Sequence, residues 1–217
     1  MKVIIANKKE AVKKAASIVK RLIDKKPNAV LGLASGSTMI HLYREIVRLY
    51  KKEEIDFSKV RTFNLDEYVT RHDNKYNFHN YMNKNLFSKV NIKSENTHFP
   101  SSDGARYDKE IKKLGGIDLC LLGLGKNAHI AFNEPGSSFQ STTRKVVVVE
   151  NKKHAYSMGI KTIMSSKKII LIAFGAKKSN AVAKSLKEKI SKDVPASILR
   201  KHKDATFILD KKAAGKS

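Results

Sequence analysis

The sequence predicts an α/β protein: a mostly parallel sheet covered by helices on both faces. Three observations predict it. Strand-like and helix-like patterns alternate from one end of the chain to the other. The strand-like pieces, such as Ile117 to Leu122, are continuous apolar runs, the pattern of strands buried on both faces. Two strand-to-helix junctions, Ser35-Gly36-Ser37-Thr38 and Gly175-Ala176-Lys177-Lys178, are short and carry glycine, serine or lysine where an open α/β sheet holds its ligands.

Taken in order, Val3 to Ala6 reads as a short strand. Lys8 to Lys26 places Val12, Ala15, Ala16, Val19, Leu22 and Ile23 at helical spacing and stops before Pro27. Ala29 to Leu33 is a buried strand, followed by a helix from Met39 to about Lys51 through Leu42, Ile46 and Leu49. Val60 to Asn64 is a strand, and Phe78 to Phe87 and Arg106 to Leu114 are helical. Ile117 to Leu122 is the central strand, and Val146 to Val149 is extended. Lys168 to Phe174 is a strand, Lys177 to Ile190 a helix, and Thr206 to Leu209 the last strand. There is no repeat, linker or low-complexity tract, so residues 1–210 read as a single domain. Residues 211–217 hold no large apolar side chain and read as a disordered basic tail.

The formal net charge is +24, which raises nucleic acid as a partner. The excess is mostly lysine, it is spread along the whole chain, and much of it falls on predicted helix faces; no nucleic-acid-binding motif accompanies it. A solvated lysine-rich surface is the better reading, and its field favours small anionic ligands. No apolar run is long enough to span a bilayer, and the opening residues Met1 to Glu10 do not form a signal peptide. Cys120 has no partner for a disulfide and lies inside an apolar run. These features fit a cytoplasmic enzyme or binding protein with no membrane or nucleic-acid partner.

Four groups of residues carry chemistry. At Ser35, Gly36, Ser37 and Thr38 a helix start offers backbone N–H groups beside hydroxyls, which suits a phosphate; a plain N-cap uses the same residue types. No Walker spacing follows. At Asp66 and Glu67 two neighbouring carboxylates in extended chain point apart, so one faces a cleft. A partly desolvated carboxylate there can act as a base, whereas an ordinary loop acid makes only local hydrogen bonds. Third, His129 and Glu134 follow the strand exit Gly123-Leu124-Gly125, whose two glycines are expected to turn the backbone sharply. Asn127 is placed to orient the imidazole or a substrate hydroxyl. One His and one Glu are too few ligands for zinc, so no metal is expected. Lys178, finally, offers a point charge for a phosphate, or is simple solvated surface. The other histidines form no usable pattern, and no Gly-x-Ser-x-Gly elbow is present.

Over nearly its whole length the chain resembles the glucosamine-6-phosphate deaminase (isomerase) family. The resemblance rests on Leu31-Gly32-Leu33-Ala34-Ser35-Gly36-Ser37-Thr38, Thr62-Phe63-Asn64-Leu65-Asp66-Glu67-Tyr68 and His129-Ile130-Ala131-Phe132-Asn133-Glu134-Pro135. Met158-Gly159-Ile160-Lys161-Thr162-Ile163 and Pro195-Ala196-Ser197 add to it. The related 6-phosphogluconolactonases share the fold and a Gly-rich His loop but not the Phe-Asn-Glu-Pro continuation. The resemblance implies a modified doubly wound (Rossmann-like) sheet. It also implies conversion of glucosamine 6-phosphate and water into fructose 6-phosphate and ammonium, with no metal or organic cofactor. It assigns Asp66 as the base that moves a proton between C2 and C1, and His129, with Asn127 and Glu134, as the ring-opening group. Ser35, Gly36, Ser37, Thr38 and Lys178 match the phosphate pocket.

The chain departs from the family pattern in places. Asn127 stands where many members carry Asp, and Ala128 where Gly is usual, which is expected to tighten the loop. Between Arg144 and Met158 the family has a longer segment with a lid and a phosphate-binding Arg; here only Lys145 to Ser157 remain, and no Arg matches. The stretch from Phe99 to Lys109 is also trimmed. Short members tend to be monomeric and unregulated. A sugar-phosphate binding protein without turnover, and a 6-phosphogluconolactonase-like hydrolase, are the alternatives.

Overall fold

The computed structural model describes residues 1–69 and 77–215. Seven strands form one parallel sheet: β1 (Lys2–Ala6), β2 (Val30–Leu33), β3 (Arg61–Asn64), β5 (Thr97–His98), β6 (Leu119–Gly123), β9 (Ile169–Ala173) and β10 (Ala205–Asp210). Their spatial order is β1-β10-β9-β6-β2-β3-β5. Every residue of β2, β9 and β10 is buried. Successive side chains point to opposite faces, so both faces are covered along these three strands, as the continuous apolar runs require. The helices are α1 (Lys8–Lys25), α2 (Ser37–Lys51), α3 (Phe78–Asn85), α4 (Gly104–Lys113), α5 (Ile160–Met164) and α6 (Ser179–Lys187). In α1 the buried positions Ala11, Val12, Ala15, Ala16, Val19 and Ile23 fall on one stripe, and the many alanines let the helix lie close to the sheet.

A second, three-stranded antiparallel sheet is the main feature the sequence pattern leaves hidden. It comprises β4 (Asp66–Tyr68), β8 (His154–Ser157) and β7 (Arg144–Val147), in the order β4-β8-β7. Asp66 and Arg144 both pair with Ser157. The extended stretch expected at Val146 to Val149 is thus the end of β7 and the turn after it.

The C-terminal residues differ from expectation. Lys211 to Gly215 form turns rather than a frayed tail. Asp210 Oδ1 accepts from Ala213 N–H at 2.7 Å, Ala214 N–H donates to Asp210 O at 3.0 Å, and Ala213 is fully buried. Backbone hydrogen bonds and one small methyl do what a large apolar side chain was expected to do. Residues 216 and 217 of the expected tail lie outside the described residues.

At the opposite end of the strands a buried carboxylate ties three segments together. Asp118 accepts from Lys26 Nζ at 2.7 Å, from Lys167 Nζ at 2.7 Å and from Val30 N–H at 2.8 Å. Burial alone would raise its pKa, but the hydrogen bonds from Lys167, Lys26 and Val30 outweigh it and hold the carboxyl below the ordinary value of 3.8. A depressed pKa stabilises the fold above the unfolded value, and the contribution is lost as pH falls through the folded one. Asp118→Asn is therefore expected to lower stability by about 1–3 kcal/mol at pH 7, because both lysines can reach water once released. In urea denaturation the difference from the parent should close as pH falls below 3.8.

Candidate active site

The strand order reverses beside β2, whose two neighbours are β3 and β6. The loops leaving the C-terminal ends of such strands must diverge, and the gap between them is where an open α/β sheet binds ligands. A cavity of about 500 Å³ lies there. All of Ser35, Gly36, Ser37, Thr38, Asp66, Asn127, His129, Glu134 and Lys178 line it. A larger and shallower groove of about 790 Å³, between α1 and α2, is lined by Lys8, Lys13, Arg44 and Arg48 and holds none of them.

The imidazole sits in a fixed network. Asn127 Nδ2 donates to Glu134 Oε2 at 2.6 Å, which turns Asn127 Oδ1 toward His129 Nδ1 at 2.8 Å. Glu134 Oε2 lies 3.2 Å from the same nitrogen. Both neighbours of Nδ1 are acceptors, so the network assigns the hydrogen to Nδ1 and leaves the lone pair on Nε2. Burial lowers the proton affinity of His129; the Glu134 charge raises it, Lys178 opposes, and the net shift is downward. The ring is therefore neutral near pH 7.

The expected sharp turn at the two glycines is not what the backbone does. Neither Gly123 nor Gly125 has a positive φ; the left-handed residues are Ala128, at φ 66°, and Ala131, at φ 50°. Gly125 serves a different purpose, since a Cβ there would lie 2.4 Å from His129 Nδ1 and Cε1. The imidazole packs flat on bare backbone. Ala128 carries the left-handed strain that a glycine would not, and its methyl is fully buried in compensation.

Asp66 and Glu67 part as extended chain requires. Glu67 turns away and accepts from Tyr68, Phe78 and His79 N–H groups at 2.8, 2.7 and 2.8 Å, capping the start of α3. Asp66 faces the cavity, is 4% exposed, and accepts no hydrogen bond from any described residue. Burial, with a smaller contribution from the Glu67 charge, pushes its pKa from 3.8 up to about 8.

The opposite corner presents donors that an anion could accept from. The cap of α2 is Gly36 rather than Ser or Thr, and it makes no side-chain hydrogen bond. Its φ of 143° is one that side-chain-bearing residues rarely adopt. Two tyrosines that sequence reasoning missed hold this turn. Tyr43 Oη donates to Ala34 O and Tyr81 Oη to Gly36 O, each at 2.6 Å. In a trans peptide the carbonyl and the following N–H point in opposite directions. Holding those two carbonyls on the tyrosine side therefore aims the N–H groups of Ser35 and Ser37 the other way. Ser35 Oγ is buried with no partner, and Lys178 Nζ donates to Leu124 O at 2.6 Å. Burial and the nearby Lys126 charge both lower the pKa of Lys178. A bound anion would relieve the unpaired hydroxyl and offset the crowded ammonium groups.

The rest of the wall is aromatic. Tyr68, Phe78 and Phe132 pack within 5.0–5.9 Å of one another, and Phe78 and Phe132 line the cavity. Val149 and Glu150, at the turn between β7 and β8, close one side. No arginine lines the cavity among the described residues. Arg144, at the edge of the shortened segment, donates instead to Asn133 Oδ1 at 2.9 Å. The signal for Tyr81 was available in its helical spacing from Phe78; the signal for Tyr43 was not, since an apolar helix face explains it equally well. The assembled site joins an anion corner, a dry carboxyl and a neutral imidazole in a space sized for one small molecule. It is equipped for proton transfer beside an anionic group.

The packing of His129 on Gly125 is testable. Gly125→Ala is expected to fold but to rotate the imidazole out of its network. Measured by NMR titration, the His129 pKa should then rise toward 6.5 as burial is lost. An unchanged pKa would show that the ring has kept its place.

Comparison with known proteins agrees with this geometry. Residues 6–208 match the family of glucosamine-6-phosphate isomerases/6-phosphogluconolactonase. The chain is 44% identical to the glucosamine-6-phosphate deaminase of Thermoanaerobacter pseudethanolicus, over 99% of this chain and 94% of that protein. It is also 44% identical to that of Clostridium botulinum, over 99% and 97%. Among solved structures it superposes on a monomeric glucosamine-6-phosphate deaminase with a TM-score of 0.94 and 38% identity, covering 100% of both chains. The 6-phosphogluconolactonase from Thermotoga maritima, at 21% identity and a TM-score of 0.81 over 97% and 100% of the two chains, shares the fold. The chain belongs to the glucosamine-6-phosphate isomerase/6-phosphogluconolactonase family.

Proposed function

We propose that this protein isomerises and deaminates glucosamine 6-phosphate, giving fructose 6-phosphate and ammonium with uptake of one water. One observation carries the reading: a desolvated carboxyl and a neutral imidazole share a single cavity with an anion-holding corner. The deaminase relatives at 44% identity favour it over lactone hydrolysis.

The phosphate sits on the N–H groups and hydroxyls of Ser35 to Thr38 and on Lys178. His129 Nε2, free because Nδ1 is engaged by Asn127 and Glu134, takes the C1 hydroxyl proton and delivers a proton to the ring oxygen. The sugar opens. Asp66 removes the C2 proton while the C1 oxygen gains one, and returns it at C1 through an enediol-type (enolamine) intermediate; the C2 iminium so formed adds the water and expels ammonia, leaving the C2 ketone. With its pKa near 8, Asp66 holds the abstracted proton well enough to carry it between the two carbons. None of these steps uses a metal or an organic cofactor. The protein works as a monomer in the cytoplasm; the monomeric state of its structural relative supports the first point.

Ammonia and fructose 6-phosphate are released by the parent, and Asp66→Asn lowers kcat by about 10²–10⁴-fold. A well-folded parent that releases neither product at any substrate concentration would end the proposal. The pH dependence of kcat/KM should rise toward pH 8 as Asp66 ionises. The same raised pKa makes folding less stable as pH climbs from 3.8 to about 8, because the unfolded chain ionises first; Asp66→Asn should flatten that slope in denaturation. Tyr81→Phe frees the Gly36 carbonyl, and is expected to raise KM about 3–10-fold with kcat little changed.

A further inference from the structure

The cavity holds three carboxylates, and two of them are already committed. Asp66 is dry and carries its proton at neutral pH. Glu134 is engaged by Asn127 and His129. The third, Glu150, is exposed at the wall and has no hydrogen-bond or ion-pair partner among the described residues.

Its position is built rather than incidental. The turn carrying it is closed by Val148 N–H to Lys153 O and Lys152 N–H to Val148 O, each at 2.8 Å. Asn151 Nδ2 donates to Tyr68 Oη at 3.0 Å, and Lys153 Nζ lies 5.9 Å from the Tyr68 ring centre. Tyr68 belongs to the strand that begins at Asp66. The turn is thus moored to the element that positions the proposed base. The Glu150 charge raises the proton affinity of both His129 and Lys178, so its field reaches the imidazole and the anion corner alike.

In a site otherwise supplied with cations, a free carboxylate weakens the hold on a simple phosphate. It is useful if the ligand also carries a positive charge. Resting on the reading above, we propose that Glu150 is a specificity-determining residue that pairs with the ammonium at C2 of the amino sugar and selects it over the neutral hydroxy sugar phosphate.

The test uses two open-chain probes without a carbonyl, which cannot isomerise: 2-amino-2-deoxyglucitol 6-phosphate and glucitol 6-phosphate. Their affinities are measured by calorimetry on the parent and on Glu150→Gln, a near-isosteric change at an exposed position. The parent is expected to favour the amino probe. Glu150→Gln should cut that preference by about three- to tenfold, as loss of a partly exposed charge-assisted hydrogen bond does, while glucitol 6-phosphate binding tightens by less than about twofold, because the repulsion from an exposed charge is screened. An unchanged preference overturns the assignment, and so does equal tightening of both probes, which would leave Glu150 a source of repulsion only. If the parent binds neither probe, the sugar-phosphate reading itself fails, and this inference with it.

Discussion

The site depends on where a parallel sheet lets its chain diverge. Strands β3 and β6 leave opposite sides of β2, so the loops after them cannot follow one another. That separation brings Asp66 from one side and His129 from the other to a common space, and lets the start of α2 form its floor. The buried strands hold this arrangement rigidly, because they are covered on both faces and have no freedom to slide.

On that frame the polar groups are sorted by how much water and how many partners each is allowed. Glu67 receives three N–H donors and becomes structural, while its neighbour Asp66 receives none. Such isolation is unfavourable for an ionised group, and the carboxyl responds by holding its proton. Asn127 and Glu134 do the reverse for His129, fixing one ring nitrogen so that the other is presented. The chemistry rests on this unequal treatment of similar side chains more than on the residue types.

Local pattern reveals the parts of this molecule that are locally determined. The continuous apolar runs of β2, β6 and β9 and the striped face of α1 were legible because burial there is set by near neighbours in sequence. The small sheet was not, because its strands have three or four residues each and are stabilised only by pairing with remote segments. The nine candidate site residues were found through strand-exit position and family motif, and they do meet in one cavity. What escaped were contacts defined in three dimensions: the tyrosine hydroxyls behind the Gly36 turn, the imidazole resting on Gly125, and the inward wall at Glu150. In the loop after β6 the positive backbone angles at Ala128 and Ala131 fell on alanines, where composition gives no warning.

Asp210 gives the last turn of the chain an influence on the cleft. Its carboxylate accepts from the Gly175 N–H at 3.0 Å as well as from Ala213, and Gly175 opens the short segment that carries Lys178. Proteolytic trimming that removed Ala213, or a bulky fusion joined tightly behind it, would disturb the same carboxylate that steadies the lysine loop. Affinity tags on this protein are better placed at the amino terminus, where Met1 is exposed and well away from that carboxylate's contacts.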